Sequence, residues 1–558
     1  MGSYVVADFE TTTDPEDCRV WGWAVADVDS ETILADGINI RSFLDFMSTG
    51  TYLCYFHNLA FDGSFIIDFL LKHNFTYTDE RYVSKRHFTT LISDDGKFYT
   101  ITVRWQNGKR TEFRDSLKKL PMRVKDIAES FTASRAKGSI DYNTYRPVGH
   151  ELTLEEKEYL YSDVLIVAAA LKQQLGAGMT KLTVGSDSLA EFKRLYSDFN
   201  VDFPVLTYDI DADIRKAYRG GFTYTNPKFK IKSVGRGKVY DVNSLYPYVM
   251  RTSLLPYGTP IWRDGMYYDF RPLFIASITF TAHLKPNHIP CIQLKANMFY
   301  RETEYQSVID EPVTLFASNV DLELWHEHYD MNILEYHGAW YFEGKHGIFD
   351  EYVDKWSDIK ANSTGGMRTI AKLHLNSLYG KFATNPDVTS KYPVMENDTV
   401  ALKLGEEETR EPVYTAMGVF ITSYARAITI RAAQAHYHIF AYADTDSLHL
   451  ITTEHPKDLD IHPTRLGAWK HEYDFVDARF VRPKCYIEKI DKCNCETETE
   501  EHSQGCGFVS RIAGLPLDVS KQLTFDDITN GRVFRGKLAP KRVPGGIVLT
   551  DVGFTMKF

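Results

Sequence analysis

The chain has 558 residues, about three or four folding units at the usual domain size, and 44% of them are hydrophobic, an ordinary globular composition. Lys and Arg number 64 against 75 Asp and Glu, a net charge of −11, so any polyanion must be held by local basic stretches and not by global attraction. No apolar run approaches the roughly 20 residues of a membrane span, no basic-then-apolar leader opens the chain, and an odd seven cysteines argue against a disulfide framework, so a cytoplasmic protein without membrane contact is expected.

In chain order, residues 4–10 read as a short buried strand and residues 51–57 as a second, leading into Asn58 and Asp62, with helical periodicity beginning after Gly63. Residues 153–175 open with Thr153 followed three positions on by Glu156, then carry apolar residues at helical spacing, which predicts a capped helix. Alternating strands and helices up to about residue 181 indicate a first α/β domain. Asp8 and Glu10, two apart in a strand, leave the same face and repel, so they share a proton or bind a cation. Asp62 and Asp163 can complete a four-carboxylate cluster, with Tyr159 on the same helix face as Asp163. Such a set can hold two divalent ions and hydrolyse a phosphodiester, the phenol orienting the nucleophile. Taken singly, an Asp-x-Glu is more often a strand end that meets solvent; the signal is in the set.

Residues 214–240 hold eight Lys or Arg and no acid, and residues 528–550 hold Arg532, Arg535, Lys537, Lys541 and Arg542, again without an acid. A charge run is usually a solvated face, but these are interleaved with Tyr218, Phe222, Tyr224, Phe229 and Phe534, the mixture a nucleic-acid track needs. A second acidic set begins at Asp241, which ends a strand and enters a turn (Val242, Ser244, Leu245, Tyr246) closed by Pro247, a seat for a metal-bound triphosphate. Its other half, Asp444-Thr445-Asp446-Ser447, lies between apolar strands and reads as a tight hairpin, although Asp also suits turns for its own reasons. Arg368, Lys372, Asn376 and Tyr379 are spaced four, four and three apart, which at about 100° per residue gathers them on one helix face. That face suits a triphosphate and a nascent base pair, and Lys360 can join it.

Together these motifs resemble one family, the protein-primed family B DNA polymerases of the Bacillus phage phi-29 type. The resemblance rests on Asp8-Phe9-Glu10, His57-Asn58-x-x-Phe61-Asp62, Ser116-Leu117, Tyr159-x-x-x-Asp163, Tyr218-Arg219-Gly220-Gly221, Asp241-x-x-Ser244-Leu245-Tyr246-Pro247, Asn376-Ser377-Leu378-Tyr379-Gly380-Lys381, Asp444-Thr445-Asp446 and Lys484-Cys485-Tyr486, in order along nearly the whole chain. It implies an α+β multidomain protein: an N-terminal RNase H-like 3′–5′ exonuclease domain plus a right-hand polymerase with palm, fingers and thumb and two terminal-protein-region insertions. The implied spans are exonuclease 1–181, palm 182–252 and 416–514, insertions 253–347 and 384–415, fingers 348–383 and thumb 515–558. The first insertion would grip terminal protein and duplex, and the second would form a strand-displacing hairpin.

The resemblance also implies roles. Asp8, Glu10, Asp62 and Asp163 would be exonuclease metal ligands, Tyr159 a water-orienting phenol and Lys137 a catalytic-side lysine. Asn58, Phe61, Ser116 and Leu117 would meet the frayed 3′ end. Asp241, Val242 and Asp446 would bind the polymerase metals, with Asp444 alongside. Tyr246 would be a steric gate against a ribose 2′-OH. Lys360, Arg368 and Lys372 would hold the triphosphate, and Asn376 and Tyr379 the nucleotide and base pair. Lys484 and Tyr486 would contact the primer end, Tyr218-Arg219-Gly220-Gly221 would link the two centres, and Arg532, Arg535 and Lys537 would lie on product duplex. The implied cofactor is Mg2+, replaceable by Mn2+, at two-metal sites. The implied partners are template-primer DNA, dNTPs and a terminal protein acting as primer, for a monomer in the host cytoplasm. Cys493, Cys495, His502 and Cys506 depart from the pattern; the donors suit zinc, but their irregular spacing suits an exposed loop better.

Overall fold

The computed structural model describes residues 2–80, 82–131, 138–142, 144–266, 270–294, 305–490 and 507–558. Three large sheets organise the chain. The first has ten strands; within it Ser3–Thr11 pairs antiparallel with Val20–Asp27 and parallel with Tyr52–Phe56. Parallel pairing needs a crossover, and helix Ile40–Ser48 supplies it. Helix Leu59–Lys72 packs on one side of this sheet and helix Leu154–Gly176 on the other. The expected helix after Gly63 in fact starts at Leu59, which places Asp62 in its first turn.

The second sheet has seven antiparallel strands, in the order Phe508–Ile512, Cys485–Ile490, Trp469–Arg482, Gly237–Val242, Ser447–Leu450, Phe440–Asp444 and Thr223–Thr225. Helices Leu245–Thr252 and Thr415–Ala435 cover it, and helices Asp350–Asn362 and Gly365–Phe382 form an antiparallel pair beside it. A third sheet of four strands, Leu255–Asp264, Tyr329–Lys345, Leu273–Leu284 and Val308–Ser318, falls inside the expected first insertion.

The hairpin Asp387–Glu396 and Thr399–Thr409 does not stand alone. It adds two strands to the edge of the first sheet, with Ser390 and Lys391 opposite Ser93 and Ile92. The C-terminal hairpin Leu538–Val543 and Gly546–Asp551 reaches the same domain, where Val543, Ile547 and Val548 share a core with Phe65 and Ile66. Among the described residues no helix is long and apolar enough to cross a membrane.

Candidate active sites

Three elements build the first centre. Alternation along Ser3–Thr11 sends Val5, Ala7 and Phe9 into one core while Val6, Asp8 and Glu10 leave the opposite face. Asp62 comes from helix Leu59–Lys72, and Tyr159 and Asp163 come from helix Leu154–Gly176. That second helix is fixed by the expected capping box between Thr153 and Glu156. All five groups line one cavity of about 660 Å³, together with Asn58, Phe61 and Tyr142. Burial, then the charges of Asp8 and Glu10, push Asp62 well above the ordinary carboxylate range.

Carboxylates crowded in this way are relieved by a cation, and an all-oxygen donor set fits a hard divalent ion. Among the described residues no three His, Cys, Asp or Glu side chains close into a finished ion cage.

Tyr142 carries no motif or periodicity in the sequence, yet its hydroxyl meets that of Tyr159 at 2.8 Å. Its loop is held by Arg146, whose Nη1 donates to the carbonyls of Asp141 and Thr144 at 3.1 and 3.0 Å and whose Nε donates to Glu156 at 2.6 Å. Glu156 is the capping-box acid, so one carboxylate ties the Tyr142 loop to the Tyr159 helix. Burial raises the Glu156 pKa, but hydrogen bonds from Arg146 and His150 outweigh it and leave the group at about 2.

One expectation changes here. Ser116, expected on a DNA end, is 0% exposed; it shares a hydrogen bond with His57 Nδ1 at 3.0 Å and donates to the Phe56 carbonyl at 3.0 Å, so it positions His57. Leu117 beside it is only half-buried, and Asn58 stands exposed with its N–H donating to Asp115 at 3.0 Å. Lys137 lies outside the described residues, as do Cys493, Cys495, His502 and Cys506.

The second centre lies at the tips of adjacent strands of the second sheet. Ser447 is opposite Asp241 on one side and Asp444 on the other. The Val242 N–H donates to the Asp446 carbonyl at 2.8 Å, which sets Asp446 beside Asp241. Thr445 forms the turn at φ 62°, a strained conformation for a β-branched residue, and is held there by the Phe222 carbonyl at 2.6 Å and the Thr429 hydroxyl at 2.7 Å. Gly221 makes room for that turn, since a Cβ there would stand 2.6 Å from Thr445 Oγ1.

Burial, then Asp446 and Glu472, push Asp241 up to about 7, and burial with the charge of Asp444 raises Asp446. These acids line a cavity of about 520 Å³ with Lys484, Tyr486 and Arg511. Lys484 Nζ is 3.7 Å from Asp444, while its backbone N–H donates to the Tyr442 hydroxyl at 2.9 Å. Val242 and Leu245 are buried, so only their backbone can meet a ligand.

The cationic stripe forms as expected. Arg368, Lys372 and Asn376 are exposed on helix Gly365–Phe382 and Tyr379 is half-buried, while Ile370, His374, Leu375 and Leu378 face the core. Lys360 joins from the preceding helix and donates to Ser244 Oγ at 2.9 Å; burial, then Lys372 and Arg368, lower its pKa. The rings of Tyr246 and Tyr379 stack at 3.9 Å and 14°. Cations that press on one another in this way favour an anionic ligand.

Arg219, expected as a DNA contact, is instead 4% exposed and donates to the Ala217 and Phe316 carbonyls, each at 3.0 Å. Arg426, which sequence patterning did not single out, fixes this segment: it donates to the Arg219 and Gly220 carbonyls at 2.6 and 2.9 Å and is paired with buried Asp321 at 2.7 Å. Nor is residues 214–240 a continuous basic track, because Arg215, Lys216 and Lys238 are paired with Asp211, Asp213 and Asp474. In the C-terminal stretch Arg532 is paired with Asp527, Arg535 is exposed and Lys537 lies 5.3 Å over the Phe554 ring.

Residues 46–153 and 137–462 match the family described as DNA polymerase type B, organellar and viral. The DNA polymerase of Bacillus phage phi29 is 44% identical across 99% of this chain and 98% of its own length. That of Streptococcus phage Cp-1 is 30% identical across 100% of this chain and 99% of its own. The solved structure of phi29 DNA polymerase complexed with primer-template DNA and incoming nucleotide substrates superposes with a TM-score of 0.93 at 41% identity, with 100% of both chains covered. The complex of that enzyme with single-stranded DNA superposes with a TM-score of 0.92.

Proposed function

The chain belongs to the organellar and viral type B DNA polymerases, and from that premise we propose how its two carboxylate centres divide the work. It is a template-directed DNA polymerase of the phi29 type, protein-primed, proofreading and strand-displacing as that family is. In our reading Asp241 and Asp446, with Asp444 alongside, make the synthetic centre, and Asp8, Glu10, Asp62 and Asp163 make the 3′-trimming centre, within the domain spans given above. Both sets would hold Mg2+ or Mn2+, which when bound supplies Lewis-acid stabilisation of the charge that grows on phosphorus.

The chain's own groups do the positioning. Lys360, Arg368 and Lys372 hold the triphosphate, helped by Ser244 and the backbone of Val242 and Leu245. Asn376 and the stacked Tyr246 and Tyr379 frame the sugar and base, Tyr246 excluding a 2′-OH. Lys484 and Tyr486 place the primer end beside Asp444. Tyr159, braced by Tyr142, orients the attacking water, and Asn58, Phe61 and Leu117 hold the frayed strand. Tyr218, Gly220 and Gly221 connect the centres, while Arg535 and Lys537 follow the product duplex. A terminal protein supplies the first hydroxyl, and the enzyme acts as a monomer in the host cytoplasm.

The observation that carries this reading is the separation of the acids into two groups that line different cavities. Asp446→Ala is expected to lower nucleotide incorporation by about a thousandfold or more and to spare 3′ trimming; Asp8→Ala with Asp62→Ala is expected to do the reverse. Primer-extension and single-strand degradation assays on both variants decide it, and loss of both activities from either change would contradict two independent centres.

A further inference from the structure

We propose that His449, Glu488 and Tyr473 are positioning residues for the primer end: a buried hydrogen-bonded set that locks Lys484 and Tyr486 to the acidic hairpin. The inference rests on the primer-end reading given above for those two residues. In the second sheet, strand Cys485–Ile490, which carries Tyr486, is separated from strand Ser447–Leu450 by two others. The sheet order therefore puts no backbone ladder between the primer contacts and the hairpin that carries Asp444 and Asp446. Side chains have to make that connection.

Glu488 lies two residues beyond Tyr486, on the same face of its strand. It is 0% exposed, and its carboxylate accepts from His449 Nδ1 at 2.7 Å and from the Tyr473 hydroxyl at 2.7 Å. Burial, then the charge of Glu488, push the Tyr473 pKa up and keep its hydroxyl a donor. His449 is 1% exposed and lies two residues beyond Ser447, the residue opposite both Asp241 and Asp444. Its ring stands 5.1 Å from that of Tyr486 at 72° and 5.1 Å from that of Tyr442 at 83°. Tyr442 in turn comes two residues before Asp444, and its hydroxyl accepts the Lys484 N–H. Both primer-end residues are thus tied to the acids through this set.

Packing alone does not call for these groups. Aliphatic side chains would fill the same space beneath the acids, whereas a buried carboxylate and imidazole cost stability unless each is well paired. Even a paired set is often no more stable than apolar residues of the same volume. What the polar set adds is direction, because hydrogen bonds hold only near one length and angle while apolar contacts tolerate sliding. A slip of strand Cys485–Ile490 against the hairpin would break the Glu488 bonds and leave a buried carboxylate without partners. The set therefore keeps Lys484 and Tyr486 at one distance from Asp444, and with them the 3′ end that is to be extended.

The test is single-nucleotide incorporation at a paired primer by the full chain as wild type, Glu488→Gln, Lys484→Ala and the two changes together. Glu488→Gln keeps the volume and removes one of the two acceptor oxygens. It is expected to lower kcat about tenfold, with the KM for dNTP within about twofold and degradation of a single-stranded oligonucleotide unchanged. In the Lys484→Ala chain the same change is expected to cost less than about threefold, because part of what it positions is already gone. His449→Asn, whose amide can donate in place of Nδ1, should retain more incorporation than His449→Leu. Tyr473→Phe, which removes a hydroxyl and nothing else, should show a smaller loss of the same pattern and replaces Glu488→Gln if melting curves show that variant unfolded. Equal fold losses in both backgrounds, or a parallel loss of single-strand degradation, mark a merely structural role and overturn the proposal. So do wild-type incorporation by the folded Glu488→Gln chain and a loss confined to the KM for dNTP. Failure of the primer-end reading would show separately, as Lys484→Ala that incorporates like the wild type with Glu488 untouched.

Discussion

Burial, then Asp446 and Glu472, raise Asp241 to about 7, so on the reading proposed above it would exchange a proton for a metal ion near neutral pH. Between the unfolded value of 3.8 and about 7 the metal-free folded chain holds a proton that the unfolded chain has released, so this group's contribution to stability falls as pH rises through that window. A divalent ion reverses the loss because it binds the ionised form. In a chain already carrying Asp8→Ala and Asp62→Ala, which removes the other acidic centre, Mn2+ is therefore expected to raise the melting temperature more at pH 8 than at pH 6. Adding Asp241→Asn should shrink that difference, and equal increments at both pH values would contradict the exchange. These acids were legible because a strand's period of two and a hairpin's tip put them in known places. Ser116 and Arg219 were misjudged because polarity in a motif does not say which way a side chain points, and both turn inward to bond with backbone carbonyls.

At the scale of single elements, the helix carrying Tyr159 and Asp163 was readable from its cap, Thr153 with Glu156, while the loop that completes its site was not. Tyr142 lies in a polar stretch with no periodicity, and its placement depends on Arg146 closing on Glu156 from outside the helix. Removing one partner of such a buried pair costs about 3–5 kcal/mol where burial is complete, enough to free the loop without unfolding a domain of this size. Arg146→Ala is expected to slow degradation of a single-stranded oligonucleotide at least tenfold and to leave incorporation at a paired primer unchanged, with Arg146→Lys intermediate; a loss shared by both activities would argue against a local brace. The helix Leu59–Lys72 was placed too late in the sequence because Gly63 looks like a boundary. Its glycine instead serves close packing, since a Cβ there would lie 2.8 Å from Ile101 Cδ1.

Across the whole molecule, that same helix joins parts far apart in the chain, which no local pattern could reveal. Its last turns hold both hairpins: Asp68 accepts the Gly545 N–H at 3.3 Å, and Lys72 is paired with Asp68 at 3.0 Å and with Asp398, at the tip of the other hairpin, at 3.1 Å. Val400, Val543, Ile547 and Val548 bury themselves in the core beneath. The two hairpins and the N-terminal domain thus close on one another, and magnitudes say which contact keeps them closed. Asp398 is 68% exposed, so its ion pair is worth no more than about 1 kcal/mol, whereas the apolar tip buries several aliphatic side chains at about 1.5–3 kcal/mol each. Asp398→Ala is accordingly expected to leave the length of product per binding event almost unchanged. Gly545 is the vulnerable point: it sits at φ 93°, and a Cβ would stand 2.3 Å from the Cys18 carbonyl oxygen, so Gly545→Ala must lift the tip. Extension of a labelled primer with excess unlabelled DNA as a trap should show products several-fold shorter for Gly545→Ala, with single-nucleotide incorporation and the melting temperature of the rest retained. Full-length products from that variant would mean that the closed arrangement does not retain the enzyme on its template.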